Sequence, residues 1–568
     1  MLSLSMAASA QDLDPTVVVD RVYEGKLMEV HKPVLEMAVP DTVMHFDLDF
    51  DYSVFESPYK GSYEFNPYLL SMKPSAAADE SGRFYLRAGA GYQLHPTLDL
   101  VWSPELPRMD DSFHMDVYAR NRSYVGSYWN MEADDDDVID RGESVWNGYD
   151  FDSKVGVGLC YDSASGYIDG GVSYFGIHQK DMEWKRGYNG IEADFEVASR
   201  NSSSRLTYSV KGFYRFAGDR SVSLSDDSNV SLNETTFDAE AMAGLQIGGI
   251  GKAVVDFGLR LDGYSGGIEN AASELFLVPH FIYEKGALKA DLGIRFAGVV
   301  TDTLAGGFRM PARNQIVYPD ISVKLKVIPD ALALLLKAGG GPEVHSYHSL
   351  LERNRHLNPL MWENSWFSGF GLRQEMGVSI ERISLTAGLE GRIGSRFSWN
   401  LKGGYVNYAA GILDAVAVLQ SYSSDGLIAG IEYRPYDKTF VEFSWLWKSG
   451  DFMADGWVAY TDAYGRAFED SIYCLKPSEL TGNISFEYNF RKRIFAGADC
   501  SFATKRTGGT YSAVLPGYAD LGVSLEYSAT RRLSVWARGG NLLGMTIQRN
   551  PLYAEKGVYF TAGICLKF

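Results

Sequence analysis

The last eleven residues, 558–568, read V-Y-F-T-A-G-I-C-L-K-F and constrain the fold more than any other stretch of the chain. Val558, Phe560, Ala562, Ile564, Leu566 and Phe568 fall on one face of an extended strand, and Tyr559, Thr561, Gly563, Cys565 and Lys567 fall on the other. A soluble edge strand exposing the first set would aggregate. A strand in the wall of a transmembrane barrel requires that set, because it meets lipid while the other face looks into an aqueous lumen.

The same alternation recurs from Arg83 to the end, in roughly twenty-two segments of about ten residues. Ile191, Ala193, Phe195 and Val197 alternate with Glu192, Asp194 and Glu196. Leu288, Ala290, Leu292, Ile294 and Phe296 alternate with Lys289, Asp291 and Arg295, and Val441, Phe443, Trp445 and Trp447 with Glu442, Ser444 and Lys448. The charges belong in the lumen, since a midplane Arg or Lys facing lipid costs roughly 2–4 kcal/mol. Arg83, Arg87, Arg260, Lys289, Arg295 and Arg538 are the candidate lumen charges. Set against Glu192, Asp256, Asp291, Glu390 and Asp499, they either line a selective path or pair across neighbouring strands.

Links alternate too. Short ones are expected at 162–166, 248–251, 394–395, 435–438 and 529–532, and long ones at 120–150, 176–189, 340–371, 450–474 and 505–516. Short periplasmic turns and long outer loops are the wiring of outer-membrane barrels. The expected fold is therefore all-β: an antiparallel up-and-down transmembrane barrel of about 22 strands over residues 83–568.

Composition agrees. Aromatic residues make up 13% of the chain, Gly reaches 59, and mean hydropathy is −0.15. No run approaches the roughly 18 apolar residues of a membrane helix. A net charge of −19 leaves no basic stripe for nucleic acid. Cys160, Cys474, Cys500 and Cys565 lie too far apart to suggest a zinc site or a disulfide framework. Ala8-Ser9-Ala10 before Gln11 fits a cleavage site, so residues 1–10 read as the remnant of a signal peptide. Residues 11–82 carry Pro15, Pro33, Pro40, Pro58, Pro67 and Pro74, a density suited to an extended periplasmic or lumenal segment.

Two clusters have metal-ligand chemistry. Glu132 with Asp134, Asp135, Asp136 and Asp137 offers hard oxygens for calcium, or is a solvated acidic loop. His345, His348 and His356 with Glu343 and Glu352 could chelate a metal if helical, or are loop surface. No nucleophile motif accompanies the nine histidines, so neither an enzyme nor a cofactor is expected.

A family resemblance adds to this reading. Asp520-Leu-Gly-Val-Ser-Leu-Glu-Tyr, then Arg532-Leu-Ser-Val-Trp-Ala-Arg-Gly-Gly-Asn-Leu-Leu, then the closing strand resemble the end of TonB-dependent receptor barrels. Leu385-Thr-Ala-Gly-Leu-Glu-Gly-Arg-Ile-Gly-Ser-Arg-Phe-Ser-Trp-Asn and Pro15-Thr-Val-Val-Val-Asp-Arg-Val-Tyr are similar to a smaller subgroup that lacks the plug domain. The resemblance implies the cell outer membrane, with the lipid bilayer and the barrel-assembly machinery as partners. Phe560, Ile564, Leu566 and Phe568 resemble the sorting signal that this machinery reads. Thr16, Val17, Val18 and Val19 resemble the box that receptors offer to TonB, by strand addition. The segment 11–82 is too short for a full plug, yet a lumen of this width must be narrowed. The N-terminal segment, an inward loop such as 340–371, or a partner protein would do so. The function implied is solute uptake or transport across the outer membrane. The alternative is a structural or accessory barrel that docks a periplasmic or surface lipoprotein.

Overall fold

The structure is a computed structural model that describes residues 83–92, 94–105, 112–134, 136–200, 205–224, 229–266, 270–301, 316–357, 377–421, 424–468, 474–508 and 513–568. The signal-peptide remnant, the Pro-rich segment and Thr16, Val17, Val18 and Val19 lie outside the described residues. Among those described, twenty-three strands occur, and every strand-to-strand ladder is antiparallel. Twenty-two of them pair in chain order, and the last, Tyr559–Lys567, pairs with the first, Phe84–Gly91, to close the ring. The two-residue strand Val222–Ser223 pairs with Trp184–Ser199 and takes no place in that ring. Among the described residues closure leaves no edge strand in the ring, which is what a sheet immersed in hydrocarbon requires.

The two faces separate as the alternation dictates. Ile191 and Phe195 are 53% and 50% exposed on the outside, while Glu192 between them is buried on the inside. Leu292, Ile294 and Phe296 are likewise exposed, and their neighbour Arg295 turns in to Glu274 at 2.9 Å. The belt of exposed aliphatic and aromatic side chains is therefore the lipid-facing wall.

Four expected links prove to be wholly or largely strand. Residues 435–438 lie inside Ser424–Ser449, not in a turn. Pro435 has no N–H for the ladder, and the register accommodates it by slipping: Tyr408 faces Tyr436, whereas the next pair is Gly411 with Arg434. The proline thus marks a bulge. The link expected at 450–474 begins with a tight turn at Gly450 (φ 59°) and continues as the strand Phe452–Tyr464. Its lipid-facing set includes Gly456, which the Trp445 indole of the next strand covers at 2.7 Å from where a Cβ would stand. A neighbour's side chain supplies the apolar surface that Gly456 lacks, so the alternation is faint. The link expected at 120–150 is mostly the strands Phe113–Ala133 and Ile139–Asp162, of 21 and 24 residues. That expected at 176–189 shrinks to 181–183, between Gly166–Lys180 and Trp184–Ser199. Strand that rises above the bilayer needs no apolar face, which hides it from a search for alternation.

Wall height is uneven. Phe84–Gly91, Thr97–Trp102, Leu533–Gly540 and Tyr559–Lys567 are only 8, 6, 8 and 9 residues long and stand side by side around the closing seam. Phe397–Ser421 and Ser424–Ser449, farther round the ring, reach 25 and 26. At the seam Gly89 faces Gly563, and a Cβ on Gly563 would collide with the Ala88 carbonyl oxygen. Trp536 seals the lumenal side: its indole lies against Gly89, and its N–H donates to the Ile564 carbonyl at 3.3 Å.

Candidate functional site

With the wall solvated by lipid outside and water inside, the apolar packing collects at the outer mouth. Its centre is the segment 345–357, which leaves the strand Leu332–Val344 and turns inward. Ser346 caps the helix Tyr347–Arg353 by accepting from the Ser349 N–H at 3.2 Å. Tyr347, Leu350, Leu351 and Leu357 are buried against Phe175, Trp184, Tyr188, Leu232, Tyr264 and Ile431. Full burial of such side chains contributes about 1.5–3 kcal/mol each.

Polar contacts carry the segment across the lumen. The Tyr347 N–H donates to the Tyr264 hydroxyl at 3.2 Å, and the Tyr347 hydroxyl donates to Asp219. Arg186 donates to the carbonyls of Arg355, at 2.8 Å, and Leu357. Arg355 grips Asp150 at 2.8 Å together with Asp152, and Arg353 reaches Asp414 at 3.2 Å on the other side. Eight strands separate Leu332–Val344 from Ile139–Asp162, which bears Asp150, by the shorter way round the ring. The segment therefore runs nearly along a diameter of the mouth.

Other outer loops pack beside it. Met131, Ile139, Val416, Leu475, Ala513, Leu515 and Ala554 form a second buried cluster. Arg506 joins Asp414 at 2.8 Å, and the Gln548 side chain donates to the Ile139 carbonyl at 2.7 Å. The loop 541–558 is pinned by Asn541, whose amide donates to the carbonyls of Met545 at 2.9 Å and Lys556 at 3.2 Å. Above the short strands, His95 stacks on Tyr559 at 4.6 Å and lies 2.9 Å from the Lys556 ammonium. Burial, then that cation, pulls the His95 ring down to about 4. Burial brings Lys556 down to about 8. His345 is also pulled down to about 4, by burial and then by Arg353.

The candidate lumen charges are all ion-paired. Arg87 meets Glu526 at 3.4 Å and lies over the Trp536 ring, and Arg260 meets Asp262 at 3.0 Å. Lys289 reaches Glu284 at 3.5 Å, Arg295 reaches Glu274, Arg538 reaches Asp499 at 3.6 Å, and Arg83 pairs with Glu105. They do not converge on one point. Of the two metal-type clusters, Asp135 lies outside the described residues, and in the histidine cluster only His348 and Glu352 meet, at 3.4 Å. Asp134 accepts from the N–H groups of Asp136 at 2.9 Å and Val138 at 2.8 Å, which closes the turn. His345 bonds Ser379 at 2.9 Å, His348 packs on Phe175 and Tyr188, and His356 stacks on Tyr553 at 3.8 Å. Among the described residues no group of three or more His, Cys, Asp or Glu could hold a metal ion.

The family resemblance puts a turn-out of the penultimate strand at Asn541-Leu542-Leu543, but sequence reasoning missed that the loop 541–558 roofs a lumenal cavity of about 700 Å³ beside Trp457, Asp520 and Tyr559. Nothing periodic marks that loop. The available signal was Asn541, a residue that tolerates the left-handed backbone it adopts at φ 46°.

No protein-family model and no curated protein matches the chain. Solved structures do. The siderophore receptor PirA from Acinetobacter baumannii aligns with a TM-score of 0.59 at 10% identity, covering 86% of this chain and 80% of that one. A variant of the ferric enterobactin receptor PfeA from Pseudomonas aeruginosa aligns at 0.61 and 9%, covering 85% and 81%. The FrpB iron transporter from Neisseria meningitidis aligns at 0.61 and 10%, covering 86% and 82%. At such identity the likeness establishes the fold. A closed 22-strand antiparallel barrel with an apolar belt and a charged lumen is an outer-membrane barrel, of the architecture seen in these receptors and transporters.

Proposed function

We propose that this barrel takes up solutes across the outer membrane and that its own segment 345–357 obstructs the outer mouth at rest. The observation that carries the reading is the near-diametric course of that segment, held by Asp150, Asp219, Tyr264 and Asp414 from both sides of the ring. A barrel of this strand number encloses a lumen that must be filled or gated. Solved neighbours of like fold are receptors and transporters, one named for a siderophore, one for ferric enterobactin and one for iron. Energised opening through Thr16, Val17, Val18 and Val19, by strand addition to TonB, belongs to the same proposal, as does partial filling by residues 11–82.

Planar-bilayer recordings of the purified chain test it. The unmodified protein is expected to conduct in rare, small steps, and Leu350→Asp with Leu351→Asp to give large sustained conductance. Equal conductance in both would remove the segment from any gating role. In cells, Val18→Pro is expected to abolish energised uptake while leaving barrel assembly intact, and full retention would remove TonB. Stoichiometric copurification of a lipoprotein, with permeability indifferent to both changes, would favour the docking alternative.

A further inference from the structure

One stretch of lumenal wall beneath the loop 541–558 carries chemistry that ion pairing leaves unspent. Cross-strand pairing sets Ser444 beside Trp457, Trp457 beside Asn483, Asn483 beside Ser501, and Ser501 beside Asp520. Directly paired residues share a face, and Ser444 lies opposite in sense to the lipid-facing Val441 and Phe443, so this row faces the lumen. Strands about 4.8 Å apart make it a ledge about 19 Å long. Trp457 stands within the row with 40% of its surface uncovered. Arg538 and Asp499 lie below, Tyr518 and Arg549 above, around the 700 Å³ cavity.

The arginines of the ledge are ion-paired, and Lys556, which lines the same cavity, lies against His95 at 2.9 Å. Arg538 is met by Asp499 at 3.6 Å, and Arg549 by Asp520 at 3.1 Å and Glu555 at 3.4 Å. Arg549 also donates to the Ser501 hydroxyl at 3.3 Å and lies over the Tyr518 ring. A free ion or a zwitterion would have to break those pairs. Amide, hydroxyl and carboxylate lone pairs remain, beside an indole face that water solvates poorly. The ligand suited to this surface is uncharged, rich in hydroxyls, and has a flat C–H face. A cleft of this volume with a few polar groups around an aromatic is a usual small-molecule site.

We propose that the ledge from Trp457 to Asp520 binds a neutral oligosaccharide, with a sugar ring stacked on Trp457 and hydroxyls bonded by Asn483, Ser501 and Asp520. The inference rests on the uptake reading for the direction of arrival alone, because binding is measurable without transport. Calorimetric titration of the detergent-purified full chain with maltohexaose, cellohexaose, mannohexaose and xylohexaose tests it. At least one is expected to bind, with affinity reduced tenfold or more in Trp457→Ala and several-fold in Asn483→Ala. Trp447→Ala, on the lipid face, is expected to match the unmodified chain. Retained gel mobility of the unheated folded form shows that each variant has closed its ring. Binding by none of the four sugars, or affinity unchanged in Trp457→Ala, overturns the site. Intact binding with no uptake in cells would overturn the importer and leave the site standing.

Discussion

Trp536 lies where the ring closes. It is buried against Gly89 and bonded to the Ile564 carbonyl, with the Arg87 guanidinium over its face at 4.6 Å. Truncating a buried Trp costs about 3–5 kcal/mol. Trp536→Ala is therefore expected to lower the temperature at which the unheated form is lost on denaturing gels, and Trp447→Ala, exposed to lipid, to change it little. The loop histidines give a pH prediction with a definite sign. His95 and His345 sit at about 4 in the folded chain against 6.5 for a free ring. Between those values the unfolded chain binds protons that the folded one refuses, so stability falls as pH drops from 6.5 to 4 and levels off below. Histidine ring NMR should show both neutral at pH 5, and a titration midpoint near 6.5 for either would contradict the packing around it.

At the scale of elements, the segment 345–357 is held by its cap, its apolar face and its arginines. Ser346→Ala removes the N-cap and is expected to cost about 1 kcal/mol, read as faster hydrogen exchange of the Tyr347–Arg353 amides with the barrel unchanged. Arg355→Ala leaves Asp150 and Asp152 without that partner, and the same amides should exchange faster still. Alternation was legible wherever a strand crosses hydrocarbon, as in Ile191 to Val197. It faded where Trp445 roofs Gly456, and above the bilayer, where neither face of 120–150 must be apolar. The bulge at Pro435 shows a further limit. A missing N–H reads as a turn in one strand, and only its partner's slipped register reveals continuity.

For the whole molecule, a closed wall of about 22 strands and the inward sense of charges such as Glu192 and Arg295 followed from period two together with the alternation of short and long links. The mouth did not, because its contacts join residues such as Arg355 and Asp150 that lie far apart along the chain. Long-range ion pairs leave no local periodicity. The histidines of 345–356, readable in one dimension as metal ligands or as loop surface, part to separate partners in space.

The low flank of four short strands has a consequence for the surrounding lipid. A membrane strand needs about 9–11 residues to cross, and Phe84–Gly91, Thr97–Trp102 and Leu533–Gly540 fall short. Just beyond them Tyr92 and Leu94 are 67% and 59% exposed, and the Tyr92 N–H still donates to the Phe560 carbonyl at 2.9 Å. Acyl chains at that side are expected to dimple inward to meet so shallow a parapet, with the leaflets drawn closer beside the pair that closes the ring.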